Sequence, residues 1–497
     1  MQRNLSSILL LAAATLLASC GGSSASQATS NKKTVIKTVL LGQDSGPKFS
    51  NFTGDMIEKK ANHPFPVDLT VEGVVKPNHK SQDALNKDVI NFYEQWKLNY
   101  LNNYKGTDIC YIEGDFTGGE PDGWPKNVRG ISQSEATGYG MIVFALMAGY
   151  DEYANTYFNG LVKLYETNQS IFNNKNMSWI IPNVYDPNMT KSDSASDGDL
   201  DIAYALILAD KQWGSGGDNP DYIGMAKGMM KEGILGFDIS KSTNRVLMGD
   251  FAKGQKGGPG KVFKDRFNET CTRPSDWLLD HFRLFASVLP NARWDATIKE
   301  IYTLIDAIQD KNTGLLPDFA EDVNGKPQKA LLDIEYKDEQ GKTKLKFLES
   351  EHDEDYGWNA CRIPWRLATD YAHYKNDKTK AALDRLNAWS TSKISTDPKQ
   401  WPSKIWHGYN MDGTKIDAGD DWSWALAFTA PIVAALITDP SKQEFLNSGW
   451  DFISNKFLGD QKEEEGWSGY YSDTIALLNM LLISGNWWSP EHPPTSK

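Results

Sequence analysis

Three carboxylates stand within five residues of one another in the stretch ASDGDLDIAYALILADKQW, residues 195–213. Asp197, Asp199 and Asp201 lie where this stretch becomes an apolar run with helical spacing. An aspartate at a helix start accepts hydrogen bonds from free backbone N–H groups and suits the helix dipole. One aspartate is enough for capping, so the presence of three directs attention to chemistry.

A fourth carboxylate, Glu135, lies in QSEATGYGM, in the first turn of another predicted helix. Two interpretations are open, a helix cap or a catalytic acid. The small residues Ala136, Gly138 and Gly140 indicate that another element packs closely against this turn. Carboxylates on different loops, among aromatic residues, are the groups that cleave a glycosidic bond: one protonates the leaving oxygen, and another activates water or attacks carbon.

The elements that must position these groups are helices. Twelve segments carry apolar residues at helical spacing, and they pair in order into six hairpins joined by long loops. This arrangement predicts an all-α closed barrel of two concentric helix rings, with function on the loops at one end. An open α-solenoid is the alternative, but these loops are longer than a plain repeat array needs. The predicted helices span 81–104, 133–149, 151–167, 196–213, 220–234, 275–288, 293–311, 362–376, 378–392, 421–437, 441–456 and 470–484.

The charge balance argues against two classes of partner. The chain of 497 residues has 52 Lys and Arg against 65 Asp and Glu, a formal net charge of −13, so nucleic acid and anionic membrane surfaces are poor partners. Its 17 Trp, 20 Tyr and 20 Phe suit a protein that stacks flat ligands such as sugar rings. No CxxC pair, HExxH motif or EF-hand loop occurs, so neither a metal nor another cofactor is expected. A monomer is expected.

The N-terminus predicts export and lipid anchoring. Residues 1–20 carry Arg3 and then an apolar run too short to span a bilayer. They close on Leu-Ala-Ser-Cys, which resembles the lipobox of bacterial lipoproteins, so Cys20 is the expected lipidation site. An ordinary secretory peptide is the alternative. The expected location is therefore membrane-anchored, in the periplasm or at the cell surface.

Downstream of this signal the chain divides into two parts. Residues 21–77 are expected to form a flexible tether and an N-terminal extension with β-like pieces at 34–42 and 67–75. Residues 78–490 are expected to form the helical domain. A bridge between Cys110 and Cys271 is compatible with an oxidising compartment, although the sequence does not establish it.

Four segments together resemble glycoside hydrolase family 8. The stretch from Ala195 to Trp213 is similar to the family signature, SEATGYGM to its general-acid motif, WNACRIPWR to its Arg-x-Pro-Trp-Arg motif, and YYSDTIALLNMLLISGNWW to its closing helix. The matches follow the family's order over about residues 80–488. The resemblance implies an (α/α)6 barrel that hydrolyses β-1,4-linked polysaccharides with inversion.

The resemblance also implies roles for individual residues. Glu135 would be the general acid, and Asp197 would bind and help distort the sugar at the cleavage point. Asp199 is assigned to substrate binding through support of its loop, and Asp201 is expected to be solvated. Arg362 is expected to bind sugar or orient the region of the base, with a structural ion pair as the alternative.

The chain departs from many family members at Asn359, where an aspartate usually serves as general base. A branch of the family with asparagine here takes its base from a glutamate on an inserted loop just upstream, and this chain has such a loop at about 325–356. Glu349 is favoured because the preceding Phe347-Leu348 pair would anchor it, and the ESEHDED run beyond it is expected to be solvated. Asn359 would hydrogen-bond the base or the attacking water. The other candidates are Glu351, which ranks second, Asp353, Glu354 and Asp355.

Inversion requires acid and base carboxyls roughly 6.5–9.5 Å apart, and Glu135 and Glu349 are expected to meet that distance. The aromatic residues expected to stack on sugar rings are Trp124, Trp179, Trp358 and Tyr470, each with loop packing as the alternative.

The substrate remains open among β-1,4-glycans. The acidic charge favours chitosan, a polycation, over mixed-linkage or plain β-1,4-glucan, and xylan ranks third. Endo action is the family's default. A non-catalytic glycan-binding lipoprotein, in which Asn359 marks a lost base, is the alternative from another class.

Overall fold

Helices account for most of the secondary structure in the computed structural model, which describes residues 52–114, 128–184, 192–254, 268–323, 325–330, 335–337, 342–345, 348–416, 424–457, 466–467 and 469–494. The α-helices are α1 Gln82–Tyr100, α2 Ser134–Met147, α3 Ala154–Thr167, α4 Ser196–Trp213, α5 Tyr222–Gly228, α6 Leu279–Val288, α7 Ala292–Ile308, α8 Ile363–Tyr374, α9 Asp377–Thr391, α10 Trp401–Lys404, α11 Leu426–Leu436, α12 Gln443–Ser454 and α13 Tyr470–Ile483.

Six of these helices form a closed inner ring. Helices α2, α4, α6, α8, α11 and α13 contact one another in that order, and α13 returns to contact α2. The intervening helices α1, α3, α5, α7, α9 and α12 pack outside them. The architecture is therefore the expected (α/α)6 barrel, and the contact between α13 and α2 excludes an open solenoid.

The two rings differ in how their sequences are buried. All residues of α2 and of α11 are buried, as expected for helices that are apolar on every side. Outer helix α1 instead buries a stripe that includes Leu85, Val89 and Trp96 and exposes its polar face. Complete burial of a side chain as large as Trp96 contributes about 3 kcal/mol.

Two glycines allow α2 and α4 to pack in direct backbone contact. A Cβ atom at Gly138 would lie 2.7 Å from the Cβ atom of Asp201, and one at Gly198 would lie 2.7 Å from the carbonyl carbon of Ser134. Larger residues at either position would force the two helices apart. The close packing expected from the small residues around Glu135 is confirmed, and it brings the first turns of both helices together.

The strands are short and lie in the loops. Among the residues that the structure describes, they form five two-stranded sheets, of which four are antiparallel and the last is parallel. The pairs are β1 Leu101–Asn103 with β2 Cys110–Ile112, β3 Gly130–Gln133 with β4 Ile180–Pro182, β5 Ala320–Val323 with β6 Lys326–Lys329, β7 Glu335–Lys337 with β8 Thr343–Leu345, and β9 Trp424–Ala425 with β10 Gly466–Trp467.

The N-terminal extension crosses the C-terminal ends of the inner helices. The amide of Phe65 donates to the carbonyl of Ala148, that of Leu69 to Gly485, and that of Val75 to Ile437. The β-like piece expected at 67–75 is wrong, because those residues form no strand and bond to helix ends instead. The other piece, at 34–42, lies outside the described residues. The extension thus closes the end of the barrel opposite the first turns of the inner helices.

Other expectations need correction in detail. The helix predicted at 220–234 is α5 followed by a π-helix, Met229–Asp238. Cys110, Cys271 and Cys361 are all buried and form no disulfide with one another, so the bridge considered between the first two is absent. Among the described residues, no helix combines the length and apolar character needed to cross a membrane.

Candidate active site

The candidate site lies at the end of the barrel where the inner helices begin. Glu135 is in the first turn of α2, Asp197 is in the first turn of α4, and Tyr470 is the first residue of α13. Arg362 directly precedes α8. Helix N-termini carry partial positive charge, so this end of the barrel favours carboxylates and other anions.

Arg362 connects these groups. Its Nη1 atom lies 2.7 Å from Glu135 Oε2 and 2.7 Å from Asp197 Oδ2. Its Nη2 atom donates to Ser275 Oγ at 2.9 Å and to Asn359 Oδ1 at 3.2 Å. Because the side chain is only 1% exposed, these ion pairs are shielded from solvent. The contacts therefore place Arg362 in ion pairs with two carboxyl groups and beside Asn359.

The environment of Glu135 suits a proton donor. Burial raises the pKa of Glu135 to about 7; the positive charge of Arg362 opposes the rise, and the negative charge of Asp197 adds to it. Its Oε1 atom accepts hydrogen bonds from the Tyr470 hydroxyl at 3.1 Å and from Gln133 Nε2 at 3.3 Å. A carboxyl with this pKa keeps its proton in weakly acidic solution and can give it to a leaving oxygen.

Asp197 has the opposite protonation. Burial would raise its pKa, but Arg273 and Arg362 together hold the pKa of Asp197 well below its usual range. Arg273 Nη2 lies 3.2 Å from Asp197 Oδ2. Asp197 is therefore ionised while its neighbour Glu135 is protonated, so the two carboxyl groups can take different roles.

Arg273 is held in place by Asp276. The guanidinium Nε atom lies 3.0 Å from both oxygens of Asp276, and Nη1 donates to Asn359 Oδ1 at 3.3 Å. Burial raises the pKa of Asp276 to about 6 against the attraction of Arg273. Two arginines, Arg273 and Arg362, therefore line the site and both contact Asn359.

Glu349 is joined to Asn359. The amide nitrogen Nδ2 of Asn359 donates to Glu349 Oε2 at 2.9 Å. The Glu349 side chain is 47% exposed, and its Oε1 atom lies 4.0 Å from Arg273 Nη1. Glu349 and Asn359 line a cavity of about 340 Å³. Its other lining residues are Asp318, Ser350, His352, Gly357, Trp358, His407 and Ile416. Glu349 thus faces solvent and the cleft while its other side contacts the polar network.

The loop around Glu349 is anchored in two ways. Asp353 accepts hydrogen bonds from the backbone N–H groups of Leu348, Glu349 and Ser350. Leu348 is fully buried in a satellite apolar cluster with Met248, Cys271, Phe319 and Ala330. The anchoring expected from Leu348 is confirmed, whereas Phe347 lies outside the described residues.

The other acidic residues of the loop have other contacts. Glu351 is exposed, Glu354 pairs with Lys329 at 2.8 Å, and Asp355 contacts His352 at 3.1 Å. The prediction that the whole ESEHDED run is solvated is wrong for Asp353 and Asp355, because both are buried. Of the five candidate bases, Glu349 is the one in contact with Asn359.

The aromatic candidates fall into different environments. Trp179 is 42% exposed, and its carbonyl accepts the Ser134 amide at 2.9 Å, next to Glu135. Trp358 lines the cavity near Glu349. Tyr470 was expected to stack on sugar, but its ring is 1% exposed and packs edge-on against Tyr100, so its contribution is the hydroxyl on Glu135. Trp124 lies outside the described residues.

Asp199 and Asp201, the other two aspartates at the start of α4, are both fully buried. Asp199 accepts the backbone N–H of Met177 at 2.7 Å, which fits loop support but corrects its place among substrate-binding residues. Asp201 was expected to be solvated, and this is wrong: it binds both terminal nitrogens of Arg366, at 2.9 and 2.6 Å, and His281 at 2.9 Å. Residues 196–209 of α4 are all buried, so helical spacing alone gave the wrong environment for Asp201.

Several residues of the site escaped the sequence analysis. Ser275 and Asp276 lie in a 3-10 turn before α6, and the chain gives no signal there beyond a proline and an aspartate near a helix start. Within the described parts of the chain, no group of three His, Cys, Asp or Glu residues is arranged to hold a metal. The missed residues are Arg273, Ser275, Asp276 and Asp318.

Glycoside hydrolases cleave their substrate with a carboxylic acid and a second carboxylate, and bind it on aromatic rings. This site has a buried carboxylic acid next to a carboxylate, an exposed carboxylate on the other side of two arginines, and an exposed indole. The chain belongs to glycosyl hydrolases family 8, whose sequence profile matches residues 91–384. It is 37% identical to an endoglucanase of Bacillus sp. (strain KSM-330), over 87% of this chain and 83% of that protein. It is 35% identical to a beta-glucanase of Niallia circulans, over 86% and 92%.

A solved structure is also similar. The beta-1,3-1,4-glucanase from Paenibacillus sp. X4 superposes with a TM-score of 0.71 and 34% identity, over 86% of this chain and 99% of that one. The protein is therefore a glycoside hydrolase with the fold of this family, and polysaccharide is its substrate class.

Proposed function

We propose that the protein is an inverting endo-β-glucanase in which Glu135 is the general acid and Glu349 the general base. The observation that carries the proposal is one hydrogen-bonded path. Glu135 binds Arg362 Nη1, Arg362 Nη2 donates to Asn359, and Asn359 donates to Glu349. The path joins a buried carboxylic acid to an exposed carboxylate on the far side of the arginine pair.

In this mechanism Glu135 gives its proton to the glycosidic oxygen as the bond from that oxygen to the anomeric carbon breaks. A water molecule attacks the same carbon from the opposite face and transfers its proton to Glu349. Asp197, held ionised by Arg273 and Arg362, binds and helps distort the sugar at the cleavage point. The Asn359 amide cannot act as a base, and it orients Glu349 instead. This contact favours an active enzyme over a glycan-binding protein that has lost its base.

Two arguments favour a neutral glucan over the chitosan expected from overall charge. Among the described residues, the positive charges of Arg273 and Arg362 offset the negative charges of Asp197 and Glu349. Burial keeps Glu135 protonated below about pH 7 and raises the pKa of Asp276 to about 6, so these groups leave little net negative charge near pH 6. Such a cleft does not attract a polycation. The similar proteins are themselves named an endoglucanase, a beta-glucanase and a beta-1,3-1,4-glucanase. The substrate we propose is β-1,4-linked glucan, with or without interspersed β-1,3 linkages.

Trp179 is exposed, and its backbone bonds to the residue before Glu135; Trp358 is half-buried and lines the cavity beside Glu349. Indole rings stack on the apolar faces of sugars. The two residues are proposed as subsites on opposite sides of the cleavage point, because they flank the acid and the base respectively.

The experiment is release of reducing ends by the chain without residues 1–20 from mixed-linkage glucan, carboxymethyl-cellulose, chitosan and xylan near pH 6. We expect turnover of the glucans, almost complete loss in Glu135→Gln and Glu349→Gln, and little change in Glu351→Gln, an exposed carboxylate on the same loop. The first-formed anomer, followed by NMR, should be α. Turnover of chitosan alone would refute the substrate, and glycan binding without turnover would establish the non-catalytic alternative.

We also propose that the protein is exported and anchored through lipid on Cys20, which the lipobox-like end of residues 1–20 supports. Metabolic labelling with a fatty acid should mark the wild-type chain and leave Cys20→Ser unlabelled. Labelling of both chains, or of neither, would contradict anchoring at this residue.

A further inference from the structure

Two buried aspartates hold the two halves of the contact between Glu349 and Asn359. On the Glu349 side, Asp353 accepts the backbone N–H groups of Leu348, Glu349 and Ser350. On the Asn359 side, Asp318 Oδ1 accepts three more, from Gly357 at 3.0 Å, Asn359 at 3.1 Å and Ala360 at 2.6 Å. Each half of the contact is therefore fixed at its backbone by one carboxyl group.

Asp318 is tied to the Glu349 loop as well. Its own N–H donates to the carbonyl of Asp355 at 2.7 Å, and the N–H of Phe319 donates to the carbonyl of Asp353 at 2.9 Å. The chain at Asp318 thus lies between the segment that carries Glu349 and the segment that carries Asn359. A shift of this residue would move both segments relative to each other.

The carboxyl of Asp318 also faces the reaction. It lines the same cavity as Glu349 and Asn359, although it is only 5% exposed. Burial and the negative charge of Glu349 raise the pKa of Asp318 to about 8, against the pull of its backbone N–H partners. Near pH 6 Asp318 is therefore neutral, and it can bind three N–H groups without placing a second negative charge beside the base.

We propose that Asp318 is the positioning residue of the general base, holding Asn359 so that its amide presents Glu349 to the attacking water. This role rests on the proposed function of Glu349. An ordinary helix cap would accept the same N–H groups, since they lead into α8, and would contribute to folding stability alone. The two roles differ in whether the effect of Asp318 depends on Glu349.

Two substitutions at Asp318 separate its contacts from its charge. Asp318→Asn keeps an oxygen acceptor and resembles the neutral acid, so kcat at pH 6 should stay within about threefold of wild type. Asp318→Ala leaves three N–H groups unbound and frees Asn359, so kcat should fall about 100-fold with little change in KM. A matched control is Asp370→Ala, which removes a buried carboxyl bound to Arg283 and Thr379 far along α8. It should lower the melting temperature without a selective loss of kcat.

The deciding experiment repeats these substitutions in the Glu349→Gln background. If Asp318 acts through the base, Asp318→Ala should reduce the residual kcat of Glu349→Gln by less than about threefold, because the group that it positions is gone. The same 100-fold loss in both backgrounds would overturn the positioning role and leave a helix cap. A rise in KM with unchanged kcat would also overturn it.

A second variant covers the case in which Asp318→Ala does not fold. A Cβ atom at Gly357 would lie 2.5 Å from Asp318 Oδ2, so Gly357→Ala displaces the carboxyl without removing any acceptor. It should give the same loss of kcat, again only while Glu349 is present; an equal loss in both backgrounds would refute the proposal. If the wild-type chain turns over no glucan, the proposed function is refuted and this inference loses its basis. If the enzyme is active but the losses of kcat from the Asp318 and Glu349 substitutions simply add, the positioning role alone is refuted.

Discussion

A single nitrogen of Arg362, Nη1, lies 2.7 Å from Glu135 Oε2 and 2.7 Å from Asp197 Oδ2. One buried cation is therefore shared by the proposed acid and by the carboxylate that binds the sugar. The positive charge of Arg362 lowers the pKa of both neighbours, whereas Arg273 is the strongest charge acting on Asp197 and only a minor one on Glu135. An ionised Asp197 beside a protonated Glu135 therefore depends on both arginines.

Loss of the shared cation should change the pH profile. In Arg362→Gln the pKa of Glu135 rises above about 7, since the main opposing charge is gone, and the alkaline limb of kcat/KM moves to higher pH while kcat falls. Arg293→Gln is the control, because this arginine donates to the backbone carbonyls of Leu235 and Ile239 away from the cleft. An unchanged alkaline limb in Arg362→Gln would contradict the coupling.

The wild-type enzyme should lose activity as the pH rises through about 7. Glu135 must carry its proton to act as an acid, and its pKa lies near that value. The decline should appear in kcat/KM measured between pH 5 and pH 9 on a neutral glucan. A profile that stays flat to pH 9 would mean that another group donates the proton.

Glu135 should also reduce stability in alkaline solution. Its folded-state pKa of about 7 lies above the ordinary 4.5, so the folded chain holds this proton more tightly than the unfolded chain does, and stability falls as pH rises between these values. The loss is on the order of 3 kcal/mol. Glu135→Gln cannot ionise, so its melting temperature should exceed that of wild type at pH 8, with a smaller difference at pH 5. Equal differences at both pH values would contradict this linkage.

The satellite cluster should control kcat. Leu348→Ala removes a fully buried side chain next to Glu349, and we expect a larger loss of kcat than of the melting temperature. Leu446→Ala in α12 removes an equally buried leucine away from the site, and it should lower the melting temperature while kcat stays close to wild type. Hydrogen exchange at residues 348–350 should speed up only in Leu348→Ala.

Trp179 should contribute to binding more than to chemistry. Trp179→Ala is expected to raise KM for soluble glucan several-fold, up to about tenfold, with a small effect on kcat. Phe172→Ala is the control and should leave KM unchanged, because this residue is 52% exposed and, like Trp179, lies in the loop after outer helix α3. Equal effects of both substitutions would mean that a general apolar surface binds the glucan.

Local patterns predicted where Glu135 and Asp197 lie, at the starts of apolar helices. The small residues around Glu135 indicated the close packing of its helix, whereas the roles of both residues came from the family resemblance. Arg273 and Asp318 could not be found in this way, because their partners Asp197 and Asn359 lie many residues away and their neighbours in sequence carry no distinguishing pattern. Tyr470 shows another limit, since an aromatic residue at a helix start looks the same whether its face or its hydroxyl is used.

The backbone contact of α2 and α4 at Gly138 and Gly198 has a consequence for how the enzyme fails on heating. It places Glu135 and Asp197 inside the buried ring of helices, which we expect to unfold last, whereas Glu349 depends on a small cluster under a surface loop. The base can therefore be lost while the barrel remains intact. Catalysis is expected to stop some degrees below the temperature at which the helices melt, and to return on cooling without refolding of the chain.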